Sequence, residues 1–583
     1  MSTITLPALP EVHIPRVLRM QQTLRWGWLT DTWLICTFIV ATITSVAAWL
    51  YAYQNHLILL YGDAHSHIDI ARRLIDNASP GLAQLGGVWL PLPHLVMEPF
   101  IWNDFLWRTG LAGSFSSMPC YVASAMFIFL AARRLTNDSR ASFIGTLLFI
   151  FNPNILYLQT TPLSEMVCIA TSSAACYFFL EWAQEDKLSH LVRAAAVIFL
   201  ATLARYDGWA LYIACLCMIA VIGIRKGHSR KKIQGNVLLF GSLGGFGIAL
   251  WFLWNAMIFN DPLYFQHSQY SAQAQQQVFI GAHLDETYHN LWMAIHDYGV
   301  LANTTVGTTL MVTGAVAFVI FLLRNRLSPG TLAASIYCVP FLFYVVSLFG
   351  GQAILFAPGA APHGIPDPYF NTRYGVGIIT PIAVYVATLV MRWPLGQIAL
   401  LVAIIGQSIW ISQTGVIAVQ DGQFGISCFP YSVIPVYLAR HYDGGKVLDD
   451  TYNTRQDVAS AGIQLQNVVY QGSGKLWTEA LHSPASVVDW IIVVNGDLVF
   501  QHIDITSKGF LSKFTPVIQD PSSRVWLFHR NGLAPLPTRS ILPDLANNHF
   551  QLCGSIGRND ALRSTPIDRD TIATRSVTLV KEQ

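Results

Sequence analysis

Charge is scarce in this chain. Only 12% of its 583 residues are Asp, Glu, Lys or Arg, against 53% hydrophobic, and mean hydropathy is +0.43. A soluble domain carries about a quarter charged residues, so the composition excludes an ordinary soluble fold for most of the length. The net charge is only +2, which gives a nucleic-acid partner no electrostatic support. Cysteine is sparse too: nine residues, no C-x-x-C pair and no metal-ligand spacing, so neither a zinc ribbon nor a disulfide framework is expected. Only Cys428 and Cys553 fall beyond the apolar region. Their pairing in an oxidising compartment stays open. No internal repeat is visible, which counts against transporter folds built from repeats.

Long apolar runs are what the chain has instead. A helix needs about 20 apolar residues to cross about 30 Å of hydrocarbon. By that rule eleven spans are predicted: Trp33 to Tyr53, Met118 to Ala132, Ala141 to Leu158, Leu163 to Trp182, Leu191 to Ala204, Gly208 to Ile224, Val237 to Phe259, Val300 to Leu323, Thr331 to Leu348, Tyr374 to Met391 and Leu395 to Ile417. Alternate connections hold Arg133, Arg134 and Arg140, then Lys187 and Arg193, then Arg225 to Lys232, then Arg324, Arg326 and Arg392. The loop from 260 to 303 has neither Lys nor Arg. Positive charge marks the cytoplasmic side, so the N-terminus is predicted inside and the C-terminal region outside. The fold class expected is an all-α polytopic membrane bundle at 1–421 with outer loops at 54–112 and 260–303. A small extracytoplasmic α/β domain is expected at 422–545 and a flexible tail at 546–583. In that domain Lys446 to Leu448, Val468 to Tyr470, Trp490 to Val494 and Arg524 to His529 read as strands.

The few charges inside this apolar chain are therefore the candidates for function, because ionisable groups at membrane depth are costly and mark substrate or ion pathways. They fall at the outer ends of spans. Asp63 opens YGDAHSHIDIARRL, where Ala64 to Asp76 has helical periodicity; Asp63 could cap that helix and act catalytically as well. The helix is expected to lie at the interface with Arg72 and Arg73 toward head groups. His65, His67 and Asp69 leave room for a divalent metal, although residues two apart on a helix do not face one another. The prolines of GGVWLPLPHLVMEPF prevent a regular helix, which places His94 and Glu98 at the edge of a cavity. Glu165 follows a short outer turn and reads either as a first-turn carboxylate favoured by the helix dipole or as a second active-site acid. Arg205, Tyr206 and Asp207 join two spans, and Arg373 and Tyr374 start another. Two arginines at an outer cavity suit phosphate. The tyrosines read as ordinary interfacial residues. GSGK at 472–475 lacks the spacing of a P-loop.

In this order YGDAHSHIDIARRL, NPNILYLQTTPLSEM, LARYDGW and FNTRYGVGIITP resemble the GT-C superfamily of polytopic glycosyltransferases, in particular bacterial proteins related to protein O-mannosyltransferases and the aminoarabinose transferase. The resemblance covers roughly the first 390 residues. It implies transfer of a hexose or pentose from a polyprenyl-phosphate donor to a lipid, glycan or protein acceptor, on the outer face of a bacterial inner or plasma membrane. It also implies inversion, with Asp63 as general base, Glu165 as a second acidic position, and Arg205 and Arg373 near the donor phosphate. The remaining candidates, His65, His67, His94, Glu98, Tyr206, Asp207 and Tyr374, are expected to line the cavity. No metal ligand is assigned; the first outer loop has no D-x-D, and metal dependence stays open. The competing readings are an oligosaccharyltransferase-like enzyme with a pyrophosphate-linked donor and a secondary transporter.

Overall fold

The computed structural model describes residues 31–362, 369–426, 428, 433–451, 458–520 and 525–538. Nine helices among them are long and apolar enough to cross a membrane. In chain order, with two shorter apolar helices and two further helices that bear on the site, they are α1 (Thr32–Gln54), α2 (Gly62–Arg73, in the first outer loop), α3 (Leu111–Thr136), α4 (Ser139–Ile150, short), α5 (Glu165–Glu185), α6 (Leu188–Thr202, short), α7 (Asp207–Arg225), α8 (Arg230–Phe259), α9 (Leu291–Val306), α10 (Thr308–Asn325), α11 (Pro329–Phe349), α12 (Thr372–Val390) and α13 (Pro394–Phe424). The expected polytopic helical bundle is present. Helices α5 and α12 form its centre and are mostly buried, whereas α1, α8 and α10 keep most of their apolar surface outward. Ile43, Leu238, Met257 and Leu323 are exposed on that surface, as a lipid-facing shell requires.

Several span boundaries differ from the sequence expectation, each for a local reason. The third predicted span breaks at Phe151, because Asn152 accepts from the backbone of Asn154 and caps a new short helix at Pro153–Leu158. The eighth breaks at Gly307, whose φ of 90° ends α9 and starts α10. That left-handed backbone favours glycine. The second span is longer than its apolar run. Ser114 and Ser117, which interrupt its hydropathy, donate to the carbonyls of Thr160 and Thr161 at 2.5 and 2.9 Å and are thereby satisfied inside the bundle.

Charges absent from the bundle's middle gather at its two ends. At one end Arg133 pairs with Asp31, Arg134 with Glu181 and Glu185, Lys187 with Glu185, and Lys232 with Asp186. Glu181, Glu185 and His190 there form the one group of three His, Cys, Asp or Glu ligand atoms that converge among the described residues. Arg134 and Lys187 already neutralise it. The other end holds α2, the prolyl segment and the chain beyond α13.

Beyond α13 the chain folds around a five-stranded sheet, β1 (Val447–Leu448), β2 (Val468–Val469), β3 (Trp490–Val494), β4 (Phe514–Asp520) and β5 (Val525–Arg530), in the order β2-β1-β3-β5-β4. The first three are parallel, while β5 runs antiparallel to β3 and β4. Strand β4 was not expected; Pro516 sits in it, and the register shifts between Pro516 and Ile518, the place where a strand tolerates proline. One apolar cluster joins the sheet to the first outer loop, with Ile68, Ala71, Ile101 and Trp107 packed with Ile434, Val468 and Ile492. Arg72 and Arg73 accordingly do not face head groups. Arg72 is buried and donates to Asp76, Asp104, Gln464 and the Ile101 carbonyl. Arg73 lies over the Tyr470 ring and donates to Thr451. The predicted amphipathic helix exists, but its basic end docks on protein rather than lipid. The predicted tail lies outside the described residues. So does Cys553, and with it the pairing with Cys428.

Candidate active site

Four helix starts converge at the sheet-bearing end. Asp63 is in the first turn of α2, and Tyr61 rather than Asp63 is the capping residue. Glu165 is the first residue of α5, Asp207 the first of α7, and Arg373 the second of α12. Helix starts present unpaired N–H groups and partial positive charge, so carboxylates are stabilised at these positions and an anion is favoured between them. The α6–α7 turn that carries Arg205 is tight: a Cβ on Gly208 would collide with the Ala201 carbonyl. The prolyl segment is broken into short helices at Leu92–Leu95 and Glu98–Ile101, as its prolines require. It closes on that turn, with Leu92 N donating to the Leu203 carbonyl at 2.9 Å and the Tyr206 hydroxyl to the Val88 carbonyl at 2.6 Å.

The charged side chains line up with alternating sign. Asp63 pairs with Arg373. Arg373 Nε lies 3.0 Å from Glu165 Oε1, and Arg205 Nη1 donates to the same oxygen at 2.9 Å. Arg205 Nε is 3.5 Å from Asp207 Oδ1. Tyr344 closes the row, accepting from Arg205 Nη2 at 3.1 Å and donating to Asp207 Oδ2 at 2.9 Å. The Tyr374 ring lies beneath both guanidinia, 5.4 Å from Arg205 and 5.6 Å from Arg373, and stacks on Tyr344 at 4.9 Å. Tyr374 is therefore part of the site rather than a belt residue, whereas Tyr206 packs beside Trp209 and Phe265.

Burial separates the acids. The Glu165 side chain is 5% exposed and that of Asp63 36%. Among the described residues, Arg373 Nη1 and Glu165 Oε2 are buried without a hydrogen-bond partner. An unpaired buried donor of this kind is costly and marks where a ligand oxygen fits. Tyr344, Tyr298, Ser164 and Tyr61 belong to the same constellation and were not singled out in the sequence. Tyr344 and Tyr298 stack on one another, Ser164 accepts from Arg205, and Tyr61 lies under Arg373.

The H-S-H-I-D residues diverge. His65 Nε2 reaches the Leu59 carbonyl at 3.0 Å, His67 meets His94 at 2.8 Å, and Asp69 accepts from Trp107 at 2.9 Å. They do not form a metal cluster. Glu98 lies half-buried one turn beyond His94, and burial pushes its carboxyl up to about 7. A separate cavity of about 190 Å³ lies between the 260–303 stretch and residues 354–362, lined by Asp285, Glu286, His296, Asp297 and Phe356 among others. None of the residues of the charged row lines it.

Residues 108–254, spanning α3 to most of α8, match the family model described as dolichyl-phosphate-mannose-protein mannosyltransferase. Over that stretch the chain is similar to this mannosyltransferase family. The matched region holds Glu165, Arg205 and Asp207, whereas Asp63 and Arg373 lie outside it. No curated protein matches. Among solved structures, the apo ArnT from Cupriavidus metallidurans is 15% identical, with 83% of this chain and 97% of that one covered and a TM-score of 0.47. The Archaeoglobus fulgidus oligosaccharyltransferase, solved with Zn and sulfate, is 11% identical, with 85% and 73% covered and a TM-score of 0.46. The nine long apolar helices among the described residues fit a multi-pass membrane protein.

Proposed function

We propose that the protein transfers a sugar, with inversion, from a polyprenyl-phosphate donor to an acceptor hydroxyl on the extracytoplasmic face. The observation that carries this reading is the Arg373 guanidinium. One of its nitrogens holds Asp63 while Nη1 is buried and unpaired. A phosphate oxygen accepting from Nη1 would bring the leaving group next to the group that takes the acceptor proton. In the displacement the acceptor oxygen bonds to the anomeric carbon, the bond from that carbon to the phosphate oxygen breaks, and the phosphate leaves with the electron pair. Asp63, the accessible acid, takes the hydroxyl proton; such help is worth about 10²–10⁴-fold. Arg373 and Arg205, aided by the helix starts, stabilise charge on the departing phosphate. Glu165, buried between them, positions both and is not itself in reach of substrate. Lys and Arg are concentrated at the opposite end, which supports placing the site outside.

The test is mass spectrometry of lipids that copurify with the wild type and with Arg373→Gln, both checked for folding by thermal melting. A polyprenyl monophosphate, free or glycosylated, enriched with the wild type and lost from a folded variant, is the expected result. A pyrophosphate-linked oligosaccharide retained by both would overturn the donor assignment.

A further inference from the structure

Thr372 precedes Arg373 in the chain, and Tyr61 lies under its guanidinium at 5.2 Å. Both are held by a single turn of α13. That helix breaks at Gly415, whose φ is 121°, and resumes over Ile417–Phe424. In the resumed turn the Ala418 carbonyl accepts from the Tyr61 hydroxyl at 2.7 Å, and the Ile417 carbonyl from Thr372 Oγ1 at 3.2 Å. Asp421 Oδ2 accepts twice, from Thr372 N at 2.8 Å and from Thr372 Oγ1 at 3.1 Å. Tyr61, Thr372, Ala418 and Asp421 are all fully buried.

A helix start leaves its first N–H groups without partners and commonly takes an acceptor from the side chain just before it. Helix α12 has no such cap of its own. Asn371, in the capping position, is left-handed at φ 53° and turns its side chain to the Ile354 carbonyl at 2.9 Å. The acceptor comes instead from Asp421, 49 positions away in another helix. The turn that carries Asp421 is itself pinned. Ala418 N donates to Asn154 Oδ1 at 3.0 Å, and a Cβ on Gly425 would collide with Asp421 Oδ1 and the Tyr369 carbonyl.

Resting on the proposed phosphate role of Arg373, we propose that Asp421 is a positioning residue that fixes Arg373 for the donor phosphate by capping α12 from α13. Holding the backbone at Thr372 holds the point from which the guanidinium reaches Asp63 and Glu165 and presents its unpaired Nη1. A small displacement there carries the whole fork away from the phosphate, and misplacement of about 1 Å can cost about 10²-fold in rate. A pin that served only the fold could close on any part of α12. This one closes on the residue before Arg373 and, through the same turn, on the ring beneath it.

The test measures binding of polyprenyl monophosphate, the leaving group whatever the sugar, to the full-length protein in detergent. Affinity is read from the ligand-dependent rise in melting temperature, so a smaller folded fraction does not imitate weaker binding. Asp421→Ala is expected to raise Kd by about 10–100-fold, the worth of one hydrogen bond to a charged group. Asp421→Asn keeps a carbonyl oxygen for Thr372 and should restore the wild-type Kd. Thr372→Ala drops one of the two bonds to Asp421 and should weaken binding by less; it decides the matter if Asp421→Ala does not fold. In an Arg373→Gln background Asp421→Ala should add no further loss, since changes that act through one contact are not additive. A wild-type Kd in both alanine variants, a Kd in Asp421→Asn as weak as in Asp421→Ala, or additive losses in the double variant would overturn the proposal. A wild-type Kd in Arg373→Gln alone would instead refute the phosphate role of Arg373, so the two failures are distinguishable.

Discussion

Arg205 donates to Glu165 at 2.9 Å at the sheet-bearing end of the bundle, and the same carboxylate oxygen faces Arg373 at 3.0 Å. One buried acid therefore holds two guanidinia together. Removing one partner of a buried ion pair costs about 3–5 kcal/mol. Glu165→Ala is expected to lose stability of that order, seen as a lower melting temperature in detergent. Glu165→Gln keeps the shape but not the charge, and it should fold while losing most turnover.

Tyr344 bridges Arg205 and Asp207 through one hydroxyl. Tyr344→Phe leaves a buried guanidinium hydrogen and a carboxylate oxygen each short of a partner, costing about 1–3 kcal/mol. Its stacking on Tyr374 and Tyr298 is unchanged, so the variant should fold with a modest fall in melting temperature. Donor affinity should fall more than expression. An unchanged melting temperature would contradict the bridging role.

Much of the bundle was legible because lipid imposes a length rule on apolar runs. The rule failed where a local group satisfied the backbone: at Asn152, at Gly307 and at the serines of α3. Asp63, Glu165, Arg205 and Arg373 stood out because charge is rare in the chain, and the structure brings all four into one row. Tyr344 did not stand out, since a tyrosine inside PFLFYVVSLF reads as core. Arg72 and Arg73 were misplaced because local periodicity carries no information about Gln464 or Tyr470, partners nearly four hundred positions away. His67 and His94 come from two separate stretches, and only the fold shows that they meet.

Arg72 is one of several polar ties between the first outer loop and the sheet-bearing region, donating to Gln464 at 3.0 Å while holding Asp104 of its own loop at 2.6 Å. Arg72→Ala leaves Asp76 buried without this cation, although Asp76 still accepts from the backbone of Leu465 and Gln466. A loss of about 3–5 kcal/mol is expected at this contact. Limited proteolysis should then cut between α13 and β1 faster than in the wild type, while the helical content stays unchanged. Equal cleavage would show that the apolar cluster and the remaining hydrogen bonds hold the sheet without Arg72.

Glu98 makes the stability of the loop depend on pH. Burial raises its carboxyl from 4.5 to about 7, so the folded protein binds this proton more tightly than the unfolded chain. That stabilisation is complete below about 4.5 and is lost as pH rises through about 7, because stability falls with pH wherever the folded state holds more protons. Glu98→Gln should remove this part of the slope in melting temperature between those limits. A slope identical to the wild type would contradict the assignment.

The central claim is that Asp63 takes the acceptor proton in transfer from a lipid monophosphate sugar. Its most direct test measures release of polyprenyl phosphate from that donor, in membranes containing either wild type or Asp63→Asn at matched folded amounts. The account predicts release by the wild type and a fall of about 10²–10⁴-fold in the variant, with donor binding retained through Arg373 and Arg205. Full release by Asp63→Asn, or no release by the wild type with an acceptor-competent membrane, would contradict it.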